Sequence, residues 1–106
     1  MDETRLKSLL GEAIAHCYDE EDEFWAIFSA LVGRVSYPLQ VRIEGEEAIL
    51  VGMDGAASAP EVGVMARVQR GTEEVVVLLD NVEVVTGDPG SLAWLEVYRY
   101  WRGGGR

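Results

Sequence analysis

Apolar positions recur at helical spacing through the first third of the chain and then switch to alternation. Leu6, Leu9/Leu10, Ala13/Ile14 and Cys17 fall three and four apart, the signature of one buried helix face. Phe24, Ile27/Phe28, Leu31 and Val35 repeat the pattern, with Trp25 and Val32 flanking the stripe. Asp2 or Thr4 suits the start of the first run, with Glu3 in its first turn. Asp19 suits the start of the second as an N-cap followed by first-turn carboxylates. Whether Tyr18-Asp19 interrupts one long helix or separates two short ones stays open from the pattern. Gly33 and Ser36-Tyr37-Pro38 end the helical region, which spans 3–35.

From Pro38 the period becomes two. Leu39, Val41 and Ile43 alternate with Gln40, Arg42 and Glu44, as on a half-buried strand. A Gly45-Glu46-Glu47 turn leads into an apolar strand over Ala48–Met53, and Asp54-Gly55 marks the next turn. Ala56–Pro60 reads as a flexible loop. Val64–Gln69 and Glu74–Leu79 flank Arg70-Gly71-Thr72-Glu73, a hairpin signature. Val82 and Val84 alternating with Asn81 and Glu83 mark a fifth strand, so the sheet covers 38–86. Asp88-Pro89 places a cap and a first-turn proline on a last helix over 88–102, with Leu92, Leu95 and Tyr98/Arg99 as its stripe. Gly103-Gly104-Gly105-Arg106 is a loose tail over 103–106. Five short strands between helical ends predict an α+β fold. The expected sheet is small, curled and antiparallel, of the SH3-like barrel type, flanked by N-terminal helices and a C-terminal helix.

Composition narrows the function. The chain has 106 residues, one domain's worth (1–106), and Leu, Ile, Val and Phe number 30. That is enough apolar material for one core but little for a deeply enclosed active site. Nineteen acids against nine bases give a net charge of −10. An acidic surface excludes non-specific binding to nucleic acid or an anionic membrane. It favours a cation or a basic protein partner. The longest apolar runs fall far short of the roughly 20 residues of a membrane span. The acidic start, Met1-Asp-Glu-Thr-Arg, lacks the basic and apolar regions of a signal peptide, so a cytoplasmic location is expected.

Candidate catalytic chemistry is thin. Cys17 is the only cysteine, which excludes a disulfide framework, CxxC and a thiolate zinc site. No phosphate loop, dinucleotide fingerprint or nucleophile elbow is present. His16 and Cys17 are adjacent on the expected first helix and so point about a quarter-turn or more apart. They read as a boundary residue and a small core hydrophobe, not as a nucleophile and its base. The Phe24, Trp25, Phe28 and Trp94, Tyr98, Tyr100, Trp101 clusters read first as packing. No pair of carboxylates is singled out for acid–base work, and the chain is expected not to be an enzyme.

The acids themselves are uneven. Residues 1–23 carry eight acids and two bases, and five acids are consecutive, Asp19-Glu20-Glu21-Asp22-Glu23. On a helix Asp19, Asp22 and Glu23 share a face, with Glu20 beside Glu23. Crowded carboxylates suit a hard cation, and calcium takes six to eight oxygen ligands. A helix offers only part of that shell, and the rest would come from Glu44, Glu46, Glu47, Asp54, Asp80 or Glu83. The run lacks the alternating ligands and central glycine of an EF-hand. The competing reading is a solvated helix start, whose carboxylates favour the helix dipole while the same dipole disfavours a bound cation.

The order of features is similar to that of the CcbP-type calcium-binding protein family known from cyanobacteria. The resemblance runs through Tyr18-Asp19-Glu20, the aromatic helix, Ser36-Tyr37-Pro38-Leu39, and Gly45-Glu46-Glu47 leading into Val51-Gly52-Met53. It continues through Leu79-Asp80-Asn81-Val82-Glu83 and Tyr98-Arg99-Tyr100-Trp101, covering about residues 16 to 102. The chain departs from the family at Val32-Gly33, where acids are usual, and at Tyr98 and Arg99, where an aromatic and a histidine are usual. The resemblance implies a small, acidic, non-EF-hand calcium buffer or sensor of the bacterial cytoplasm. Asp19, Glu20, Asp22 and Glu83 match its positions. The candidate calcium ligands are Asp19, Glu20, Asp22, Glu23, Glu46, Glu47, Asp80 and Glu83. The alternative is an acidic interaction module for a basic protein partner, with no dedicated metal site.

Overall fold

The computed structural model describes residues 3–104. The expected cap at Asp2 and the last two residues of the expected tail lie outside them. The chain divides into two compact units, one formed by the N-terminal residues to Val35 with Pro89 onward, the other by Ser36–Asp88.

The helical unit holds α1 (Glu3–Ile14), α2 (Glu20–Arg34) and α3 (Pro89–Arg102), each in contact with the other two. The break between α1 and α2 is real. Cys17 N–H turns back to the Ile14 carbonyl, and Asp19 adopts extended backbone (φ −146°) ahead of Glu20. His16 and Cys17 therefore lie in this connection and not on a helix. Phe24, Ile27 and Leu31 form the buried stripe of α2, spaced three and four apart. Full burial of each such side chain contributes roughly 1.5–3 kcal/mol. Only Leu6 and Leu10 are buried on α1, while Leu9, Ala13, Ile14 and Cys17 are half-buried. On α3 the buried face is displaced from the expected one. Ser91, Ala93, Trp94, Leu95, Val97 and Tyr98 are buried, whereas Leu92 and Arg99 are exposed. The aromatic Trp94 sets that face, and it carries the guanidinium of Arg34 5.2 Å from its ring centroid. Among the described residues, no helix is long and apolar enough to cross a membrane.

The second unit holds β1 (Leu39–Ile43), β2 (Glu46–Ala59), β3 (Gly63–Arg70), β4 (Glu73–Leu78) and β5 (Val82–Val84), with a 3-10 turn, η1 (Leu79–Asn81), between the last two. The strands form one antiparallel sheet in the order β4-β3-β2-β1-β5. Three helices and five antiparallel strands make the α+β fold that the periodicity predicts. The sheet is open, however. β4 and β5 do not pair among the described residues, so it does not close as an SH3-like barrel does.

Two local expectations change. The β1–β2 turn is Glu44-Gly45, not Gly45-Glu46-Glu47, and Glu46 and Glu47 begin β2. Both turn residues have positive φ, 52° and 81°, the hand that matches the twist of a two-residue hairpin. Glycine takes such a conformation without the Cβ clash that Glu44 must bear. The other change is that β2 runs on through Asp54-Gly55 and Ala56–Ala59, where the pattern predicts a turn and then a loop. Its pairing with β3 shifts register after Asp54, and Ser58 substitutes for the missing ladder. The buried Ser58 hydroxyl donates to the Asp54 carbonyl at 2.6 Å and accepts the Met65 N–H at 2.8 Å.

Candidate functional site

The acidic run opens α2, and its first task is local. The Asp19 carboxylate (Oδ1) accepts the Asp22 N–H at 2.9 Å, satisfying one of the amides that a helix start leaves unpaired. Asp22 reaches back, its Oδ2 accepting the Tyr18 N–H at 3.2 Å. The two carboxylates thus grip the chain entry reciprocally, much as in a capping box. Glu20, Glu21, Asp22 and Glu23 all occupy the first turn, where the helix dipole favours negative charge. Glu23 points elsewhere. Its Oε1 accepts the Trp101 indole N–H at 2.8 Å, and the Trp101 ring lies 6.3 Å from that of the buried Phe24.

The run is felt by Cys17. Partial burial pushes its thiol above the ordinary value of 9.0, and the charges of Asp22, Glu23 and Asp19 push it further in the same direction. The thiol is therefore held protonated at neutral pH and is a poor nucleophile.

The sheet acids are placed among arginines. Glu46 accepts from the Arg70 guanidinium at 2.6 Å. Arg42 on β1 stands opposite Glu47 of β2 on one side and Glu83 of β5 on the other, so a single cation lies between two carboxylates across three strands. Asp80 sits in the 3-10 turn ahead of β5 and is exposed. Asp54 is engaged locally, its carboxylate accepting the Ala57 N–H at 3.0 Å. Glu44 occupies the left-handed turn position. Each of two surface clefts holds one carboxylate. One, of about 420 Å³, lies on the sheet between Gln40, Glu47, Ile49, Gln69 and Val85. The other, of about 740 Å³, lies among the helices beside Glu12, Ala30 and Trp94.

The structure thus brings Asp19 and Asp22 together, turns Glu23 to an indole, and sets Glu46, Glu47 and Glu83 beside arginines. Among the described residues, no three Asp, Glu, His or Cys side chains are arranged to hold a metal ion. Sequence reasoning missed the roles of Arg42, Arg70 and Trp101. Alternation along β1 gives the exposure of Arg42, but not its place between two carboxylates.

No family model matches the sequence, and no curated protein matches it. The fold is nevertheless a known one. The crystal structure of Anabaena CcbP superposes with a TM-score of 0.83 at 18% identity, over 100% of this chain and 95% of that one. A calcium binding protein in the calcium-binding form superposes with a TM-score of 0.79 at 18% identity, over 99% of this chain and 94% of that one. The three helices and open five-stranded sheet are thus the fold of Anabaena CcbP.

Proposed function

We propose that the chain is a CcbP-type calcium-binding protein, non-catalytic and not an EF-hand, that takes calcium on the carboxylates at the start of α2. The observation that carries this reading is the full-length likeness in fold to a calcium binding protein in its calcium-binding form. The donor chemistry fits. Asp19, Glu20, Asp22 and Glu23 are hard oxygen donors confined to one helix start, and Asp19, Glu20 and Asp22 are exposed. Asp19 and Asp22 each use one carboxylate oxygen for a backbone amide, which leaves each a second oxygen for a cation.

Binding on this reading is a rearrangement of side chains in the first turn of α2, with the half-buried Glu23 leaving its indole partner. Within the sheet unit, Asp80 and Glu83 are proposed as calcium ligands in their own right, on the strength of a segment that resembles the family's. Glu46 and Glu47 would have to yield arginine neighbours first. Neutralisation of like charges supplies the driving force, and the helix dipole opposes it. Affinity then decides between roles, since sensors work at about 10⁻⁷–10⁻⁵ M and cytosolic buffers bind more tightly.

Calorimetric titration of calcium into metal-stripped protein, with magnesium in excess as the parallel arm, tests the proposal. Stoichiometric binding that survives magnesium is expected, and Asp19→Asn/Asp22→Asn/Glu23→Gln should abolish it. Diffuse heats that vanish with magnesium or salt would overturn the reading, and retained affinity in the triple variant would move the site elsewhere.

A further inference from the structure

We propose that the outer edge of β4 is a self-association surface, on which a second copy of this chain adds its own β4 antiparallel about a two-fold axis near Val76. The inference goes beyond the calcium reading and does not rest on it.

An edge strand presents a row of unpaired N–H and C=O groups, and folded proteins blunt such edges with shortness, charge, proline or a bulge. The two edges of this sheet differ in that respect. β5 is three residues long with Glu83 at its centre. β4 is six residues long and pairs with β3 in unbroken register from Met65↔Leu78 to Arg70↔Glu73. It carries no proline, lysine, glycine or bulge, and its middle is Val75-Val76-Val77-Leu78.

The apolar middle also says what fits there. Val76 is 42% exposed on one face, while Val75 and Val77, half-buried, lie on the other, opposite Val68 and Ala66. A strand laid against it must be apolar on both faces at its centre, and β4 is itself such a strand. Charge sets the direction. A parallel copy would stack Glu73 and Glu74 on their counterparts, and like charges directly opposite are destabilising. A two-fold antiparallel copy centred on Val76 sets Glu74 opposite Leu78 and Val75 opposite Val77, with no carboxylate facing another. It is the closed, isologous arrangement that homodimers favour. The partners carry −10 each, so their long-range repulsion falls as salt screens it, and association should strengthen with ionic strength.

Sedimentation of the full chain in chelator, across a concentration series at low and high sodium chloride, tests this. A doubling of the 11.7 kDa mass that increases with salt is expected. Val76→Lys, checked as folded by circular dichroism, should weaken association at least about tenfold. In a Cys17→Ser background, Val76→Cys should form an intermolecular disulfide. Glu73→Cys should not, because the antiparallel register holds the two copies of that position roughly 20 Å apart. A monomer at every concentration and salt, a dimer indifferent to Val76→Lys, or equal cross-linking at both positions would each overturn the proposal. Because chelator is present throughout, failure here leaves the calcium reading untouched.

Discussion

The indole N–H of Trp101 donates to the Glu23 carboxylate at 2.8 Å, tying the last turn of α3 to the first turn of α2 across 78 residues of sequence. A hydrogen bond to a charged acceptor, partly shielded from water, contributes more than a neutral surface one. Trp101→Phe keeps most of the ring and removes the donor, so it should cost about 1–2 kcal/mol in urea denaturation. Glu23→Gln retains an acceptor and should cost less. If calcium recruits Glu23, the indole must be released. Tryptophan emission of the native chain should then respond to calcium, and that response should shrink in Trp101→Phe.

Asp19 separates structure from charge. Its carboxylate caps α2 through the Asp22 N–H. Asp19→Ala removes the cap and should destabilise by about 1 kcal/mol. Asparagine caps about as well as aspartate, so Asp19→Asn should leave the urea midpoint nearly unchanged. On the calcium reading, both variants weaken binding. If Asp19→Asn binds as tightly as the native chain, Asp19 holds the helix and not the ion.

The contrast between these residues marks what can be read from sequence. The helical and alternating periods located the helices and strands, because burial of one face is a property of a single segment. Asp19 was legible as a cap for the same reason, since its partner is three residues away. The Arg70–Glu46 pair spans 24 residues and the placement of Arg42 between Glu47 and Glu83 depends on register. Neither has a local signature. Barrel closure failed as an expectation because pattern specifies faces of strands, not whether the first and last strands of a sheet meet. Spacing alone puts Leu92 on the α3 stripe, but bulky Trp94 and Tyr98 turn the buried face so that Ser91 enters and Leu92 stays outside.

Ser58 carries the irregular end of β2. Its hydroxyl serves the Asp54 carbonyl and the Met65 amide together, in place of the ladder that the register shift removes. Ser58→Ala strips both backbone groups of their partner at a buried position and should cost about 1–3 kcal/mol. The local signature should be faster hydrogen exchange at the Met65 amide, with the Val68 and Gln69 amides of β3 little changed. An unaltered Met65 exchange rate would mean that water or backbone takes over the bond.

Tyr37 gives the fold a pH dependence at the alkaline end. Burial pushes its phenol well above the ordinary value of 10.0, because the phenolate loses solvation in the folded chain. In the unfolded chain the same group ionises near 10. Above that pH the unfolded state has released a proton that the folded state still holds, so stability falls as pH rises. Below it both states are protonated, and Tyr37 contributes no slope. Tyr37→Phe cannot ionise in either state. Urea denaturation from about pH 9 to about pH 11 should therefore show the native chain losing stability more steeply than the variant. Parallel curves for the two proteins would place the phenol in water.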